Sequence, residues 1–157
     1  MEIRFAQPGD IMGILALLRQ VGQVHHDGRP DIFRSGAQKY GPSQILSMLD
    51  KSDIVIFVAV EKEKVLGYGF CFIKDHDLDP VMTSRKELYI DDLCVDENCR
   101  GKGIGKALYE AICKYAKMRK CYHITLNVWC CNPSAMKFYE KLGLKPQKIG
   151  MEAILED

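Results

Sequence analysis

The stretch Glu87–Lys106, ELYIDDLCVDENCRGKGIGK, leaves the backbone few choices. Leu88, Tyr89 and Ile90, then Leu93, Cys94 and Val95, form an apolar-rich run that reads as a strand, with two acids, Asp91 and Asp92, at its middle. A polar turn, Asp96 to Cys99, follows. Gly101, Gly103 and Gly105 then fall at alternate positions, where glycine permits unusual dihedrals and lets a ligand approach main-chain N–H groups. An amphipathic pattern begins directly afterwards, so the loop opens into a helix N-terminus, whose unpaired N–H groups and partial positive charge suit phosphate. Arg100 and Lys106 bracket the loop with full positive charges. Arg100, Gly101, Lys102, Gly103, Ile104, Gly105 and Lys106 are therefore predicted to cradle a pyrophosphate. The alternative is a glycine-rich turn that binds nothing.

Two familiar phosphate loops fail on spacing. A P-loop needs Gly, four residues and Gly-Lys-Ser/Thr; Arg100 stands where its first glycine belongs, and Ala107 follows Lys106. A dinucleotide loop needs Gly-x-Gly-x-x-Gly, and the last spacing here is one residue short. What fits is Arg-x-x-Gly-x-Gly, from Arg100, Gly103 and Gly105.

The rest of the chain supplies a sheet and helices around that strand. Glu2 to Ala6 alternates as a strand, and Pro8-Gly9-Asp10 breaks it. Asp10 can cap a helix whose apolar positions are Ile11, Ile14, Leu15, Leu18 and Val21. Gly22 to Phe33 is polar and rich in turn residues, which predicts a loop and then a short helix from about Asp31. His25 or His26 there could hold an acceptor or move a proton; a solvated loop is the simpler reading. Pro42 to Leu49 reads as a second helix, with Ile45, Met48 and Leu49 inward. Asp53 to Val60 is continuously apolar, as in a strand covered on both faces, and Val65 to Ile73 is its partner across a charged turn. Gly67 and Gly69 inside the partner predict a bulge or a close backbone approach. The acidic loop Asp75 to Pro80 either attracts a cation or is a solvated connector.

A third helix is predicted from about Gly103 to Arg119, with Ile104, Leu108, Ala111, Ile112 and Tyr115 inward, and Tyr122 to Val128 alternates as a strand. Asn132 is a good cap and Pro133 fits the first position of a fourth helix, which Gly143 ends; Ala135, Phe138 and Leu142 form its apolar stripe. Leu144 to Leu155 has room for one or two closing strands. With no internal repeat and no linker, residues 1–157 are expected to form one α/β (α+β) domain: a mixed sheet with about four helices.

Charge and cysteine content narrow the function. Formal net charge is +1, from 22 basic and 21 acidic residues, which gives no push toward nucleic acid or an anionic membrane. No apolar run approaches the length of a membrane span, and the N-terminus lacks a signal peptide's apolar core. The seven cysteines are odd in number, with no C-x-x-C and no Cys/His pairing at zinc spacing, so they read as reduced thiols in a cytoplasmic protein and no metal is expected.

The strand, the Arg-x-x-Gly-x-Gly loop and a second block, Asn132-Pro133-Ser134-Ala135 with Phe138-Tyr139 and Gly143-Leu144, together resemble the GNAT superfamily of N-acetyltransferases. Leu144 stands where that family usually has phenylalanine. The resemblance implies acetyl-CoA as co-substrate, with its pantetheine arm along the strand at Leu93, Cys94 and Val95. A V-shaped split between this strand and the next would admit the arm. It also implies that Asn132, Ser134 and Ala135 lie near the coenzyme, and that Tyr139 protonates the departing thiolate. LYIDDLCV is similar to the matching strand of diamine and spermidine/spermine acetyltransferases, where the first of the two acids is a glutamate acting as base through water. Asp91 matches that position and is one methylene shorter.

The chemistry agrees with these assignments. An aliphatic amine, pKa about 10.4, must lose a proton before it can attack a thioester. The oxyanion that forms wants a donor, and the thiolate that leaves benefits from an acid. The reading is transfer of an acetyl group to a primary amine, most simply a small cationic one, with Asp91 or Asp92 as base or as the acceptor's anionic partner. A peptide amine as acceptor, or a non-catalytic acyl-CoA sensor, are the alternatives. The resemblance also implies a possible homodimer.

Overall fold

The continuously apolar run forms a strand covered on both faces, as predicted. This computed structural model describes residues 1–155, in two compact units: Met1–Asn127 and a smaller one that begins at Val128. The first unit carries β1 (Glu2–Phe5), α1 (Ile11–Gly28), α2 (Pro42–Leu49), β2 (Ile54–Glu61), β3 (Lys64–Asp75), β4 (Lys86–Val95), α3 (Ile104–Met118) and β5 (His123–Leu126). The strands lie in sequence order, β1 to β4 antiparallel and β5 parallel to β4.

Helices cover both faces of the sheet. Ile14, Leu17 and Leu18 of α1 and Ile45 of α2 pack on Ile56, Val58 and Val60 of β2 and on Tyr68 and Phe70 of β3. On the other face, Ile104, Leu108, Ile112 and Ala116 of α3 pack on Val55, Phe57 and Ala59 of β2 and on Leu88 and Ile90 of β4. That double coverage is why β2 has no polar alternation. Gly67 and Gly69 let α3 and β4 close in: a β-carbon there would stand 2.9 Å from the Cys94 carbonyl oxygen and 2.9 Å from Ile112 Cδ1, respectively.

Three sequence expectations change, two of them within residues 22–33. Residues 22–28 continue α1, so His25 and His26 belong to its last turn, and the stretch after Asp31 forms turns and no helix. The polar character of 22–28 marks the last turns of a long helix, which run on past its apolar stripe. His25 stacks on Phe33, centroids 5.0 Å apart, and His26 Nδ1 donates to the Phe33 carbonyl at 2.7 Å, so this pair anchors the 29–41 segment. In the acidic loop, Asp75 accepts from the Asp77 N–H, Asp79 from Val81 and Met82, and Asp77 from the Ser84 hydroxyl; these carboxylates stitch their own turns.

The second unit contains α4 (Pro133–Lys141). Asn132 caps it by accepting from the Ala135 N–H at 3.2 Å, and Gly143, at φ +90°, follows its end. No closing strand forms among the described residues after Leu144; Ile149, Met151, Ile154 and Leu155 are exposed.

Candidate active site

The strand β4 changes character halfway along. Lys86 to Ile90 lies between two neighbours, with Glu87 to Ile90 paired to His123 to Leu126 of β5. Beyond Ile90 the β5 ladder ends, while pairing with β3 continues to Val95 opposite Gly67. The split expected between the two strands is therefore present. Asp96 donates its N–H to the Leu66 carbonyl at 2.9 Å, which sets the phase of the β3 ladder. By strand alternation Cys94 also turns its backbone groups toward β3, and Leu93 and Val95 turn theirs toward the gap. Arg100 Nε donates to the Val95 carbonyl on that side at 3.4 Å.

At the same point the strand carries a bulge. Phe70 faces Asp92 and Cys71 faces Ile90, which leaves Asp91 as the extra residue. Alternation would put Asp91 and Asp92 on opposite faces. The bulge instead turns both toward α1 and α2. Leu88 and Ile90 before it, and Leu93 and Val95 after it, still pack on the α3 face.

Each carboxylate has its own tyrosine. Tyr40, from the segment between α1 and α2, donates to Asp91 Oδ2 at 2.5 Å, and Lys39 Nζ lies 2.7 Å from the same oxygen. Tyr68 of β3 donates to Asp92 Oδ2 at 2.6 Å. Burial pushes the Asp92 carboxyl above the ordinary range; the Tyr68 hydrogen bond and the charges of Lys39 and His25 counter this in part. Burial, helped by the Asp91 hydrogen bond, also raises the Tyr40 hydroxyl far above its ordinary value, so it stays a donor. The Cys94 thiol is buried against the Leu17 carbonyl and pushed up to about 12 by burial, which removes it as a nucleophile.

The sequence argument missed Lys39, Tyr40 and Tyr68. Only Tyr68 left a trace: a tyrosine in a fully apolar strand must find a partner for its hydroxyl.

A second polar cluster sits at the doubly paired end of β4. Glu87 accepts from His76 Nε2 at 2.9 Å and from the Thr125 hydroxyl. Burial works to raise the Glu87 carboxyl, but the Thr125 and His76 hydrogen bonds outweigh it and hold the group below its ordinary value. His123 Nε2, 3.8 Å from Glu87, is buried without a hydrogen-bond partner.

Past β4, Gly101 and Gly103 take φ of +77° and +79°. A β-carbon at either would meet nothing within 4 Å, so glycine is needed there for its dihedral and not for space. No side chain caps α3, whose first residue, Ile104, is buried. The helix thus begins with unpaired N–H groups beside exposed Arg100, Lys102 and Lys106. Lys106 has a loose ion-pair neighbour, Glu110, at 3.8 Å. These residues fit a pyrophosphate.

Tyr139, Asn132, Ser134 and Ala135 lie in the second unit. Tyr139 is half-buried on α4 with its ring against Phe138. The Asn132 amide oxygen accepts from both Ala135 N–H and the Ser134 hydroxyl, so it serves as the helix cap. Among the described residues, no group of three or more His, Cys, Asp or Glu side chains is arranged to hold a metal ion, and no helix is long and apolar enough to cross a membrane.

Known proteins share the fold. The Acetyltransferase (GNAT) family profile matches residues 22–144. A point mutant of the BH1408 protein from Bacillus halodurans superposes with a TM-score of 0.94 at 38% identity, covering 99% of this chain and 100% of that one. A glucosamine 6-phosphate N-acetyltransferase from Arabidopsis thaliana is 25% identical over 142 residues, 90% of this chain and 83% of that enzyme. The enzyme of that name from Trypanosoma brucei brucei is 37% identical over 57 residues, which span 36% of this chain and only 37% of the relative's length. The chain thus belongs to the GNAT acetyltransferase family and is an N-acetyltransferase by fold and by kinship.

Proposed function

We propose that the protein moves an acetyl group from acetyl-CoA to the primary amine of a small cationic acceptor. The observation that carries this reading is the bulge, which presents Asp91 and Asp92 together where the β5 ladder ends. An acceptor ammonium is drawn to this pair. Asp91 takes its proton, through a water because the aspartate arm is short. Asp92, less acidic through burial, helps hold the charge. Leu93, Cys94 and Val95 line the pantetheine arm, Arg100 to Lys106 hold the pyrophosphate, and Asn132, Ser134 and Ala135 lie near the thioester. Tyr139 returns a proton to the thiolate. Because the family match crosses the boundary at Val128, we treat residues 1–157 as one working N-acetyltransferase domain. We place it in the cytoplasm and count a homodimer as its working form.

A second reading comes from the relatives, two of which are named for glucosamine 6-phosphate, an amine that also carries an anionic group. On the α1–α2 face Lys39 is already paired with Asp91, which favours the cationic acceptor. The test is thiol release from acetyl-CoA against polyamines, amino acids, aminoglycosides, short peptides and glucosamine 6-phosphate, with a no-acceptor control for the protein's own thiols. Turnover confined to polyamines and other small cations supports the proposal. Turnover confined to the sugar phosphate or to peptides overturns the acceptor, and coenzyme binding without any turnover would leave an acyl-CoA sensor. Tyr139→Phe should lower kcat roughly 10²-fold or more with coenzyme affinity unchanged; an unchanged kcat removes Tyr139 from the mechanism.

A further inference from the structure

Beside the proposed base, on the oxygen that also accepts from Tyr40, stands a primary amine of the chain itself. Lys39 Nζ stands 2.7 Å from Asp91 Oδ2 and 3.4 Å from the Asp91 carbonyl oxygen, the place where an acceptor ammonium would be held. Other lysines meet other carboxylates, as Lys64 meets Asp96 and Lys106 meets Glu110. The Lys39 side chain is 47% exposed, and its backbone belongs to the irregular segment between α1 and α2. Its stem is thus half in solvent, while its head rests on the carboxylate proposed as base.

We propose that Lys39 is an internal acetyl acceptor, modified by the chain's own active site. This rests on the reading of Asp91 as base. The step balances without another reagent. Asp91 removes a proton from the Lys39 ammonium, and the freed Nζ lone pair attacks the thioester carbonyl carbon of acetyl-CoA. The C–S bond breaks, an amide N–C bond forms, and the leaving sulfur is protonated to the free thiol. The edge at Leu93 and Val95 lies two to four residues beyond Asp91, about 7–13 Å along the strand. A long lysine stem covers much of that span by rotation. Because Lys39 and the coenzyme bound by the same chain would be the two reactants, the transfer is intramolecular within that complex, with the advantage that tethering confers. The product amide carries no positive charge, so Lys39 would leave Asp91 and stop competing with a cationic acceptor.

The experiment incubates the full-length protein with isotopically labelled acetyl-CoA and no added acceptor, then maps the label by peptide mass spectrometry. The expected result is one acetyl group at Lys39, gained at least roughly tenfold faster than at the average exposed lysine. The rate constant should not change when the protein is diluted, and Asp91→Asn should remove the advantage. Lys39→Arg retains a cation for Asp91, so its fold is kept, and it should leave only the slow background at other lysines. A Lys39 rate no faster than its neighbours, a rate that rises with protein concentration, or indifference to Asp91→Asn overturns the proposal. If added amines turn over normally while Lys39 stays unmodified, only this inference fails. If neither reacts although the coenzyme binds, the reading of Asp91 as base fails with it.

Discussion

The two halves of β4 are built from similar residues and do different work. From Lys86 to Ile90 the strand has a neighbour on each side, and its polar side chain, Glu87, is closed into hydrogen bonds with His76 and Thr125. From Leu93 to Val95 it has one neighbour, and the polar residues at the junction, Asp91 and Asp92, turn toward α1 and α2, each on a tyrosine hydroxyl. One extra residue and a ladder that stops early separate the doubly paired end from the end proposed to be reactive. The lesson is that a carboxylate's role here follows from which half of the strand it stands on, more than from its chemistry.

Four substitutions can break or sharpen that contrast. The largest effect is expected for Asp91→Asn, which should lower kcat about 10²- to 10⁴-fold with little change in coenzyme affinity; steady-state kinetics beside calorimetry separates the two. A kcat within a few-fold of the parent would show that the reactive half does not use this acid. Gly103→Val should weaken coenzyme binding roughly 10- to 100-fold, because a β-branched residue at φ +79° costs about 1–3 kcal/mol of backbone strain although the space around it is open. Unaltered affinity in calorimetry would move the phosphate site elsewhere.

Glu87→Gln should leave kcat nearly intact and lower stability by about 1.5–3 kcal/mol through its weakened hydrogen bonds. Glu87 titrates below its ordinary value in the fold, so its contribution is present above the unfolded value of 4.5 and is lost as pH falls through the folded one. Urea unfolding should therefore show parent and variant converging at acid pH. A large loss of kcat with normal stability would place Glu87 in the reactive half after all. The smallest effect is expected for Asp92→Asn. Asp92 titrates above its ordinary value, so the parent carries a penalty above the folded value that vanishes below the unfolded 3.8. The variant should melt slightly higher at pH 7, with the gain shrinking as pH falls toward 4. A lower Tm at pH 7 would mean that the charge, and not its burial, dominates there.

How much of this was written locally in the chain varies by region. The five strands, Pro42–Leu49 as a helix, the Gly101–Gly103 loop and the Asn132 cap all announce themselves through periodicity, glycine and capping chemistry. The polar end of α1 did not, because Gly22 and two histidines imitate a loop when no apolar stripe marks the turns. Nor did Lys39 and Tyr40, which reach Asp91 across about fifty residues of sequence; such a contact depends on how α1 and α2 lie on the sheet. The side to which Asp91 turns depends on a single unpaired residue, and nothing in Asp91-Asp92 itself says which register the strand will adopt.

The half-open strand also carries its own reporter. Amides of Leu93 and Val95 sit inside regular β structure, yet no partner strand protects them, so their hydrogens should exchange with deuterium at rates typical of a loop. The Cys94 amide between them, turned toward β3, should exchange slowly. A ligand laid along the edge would act as a missing strand and slow the first two while leaving the third unchanged. Occupancy of the cleft can thus be read from the backbone, one alternate residue at a time, without a label on the ligand and without turnover.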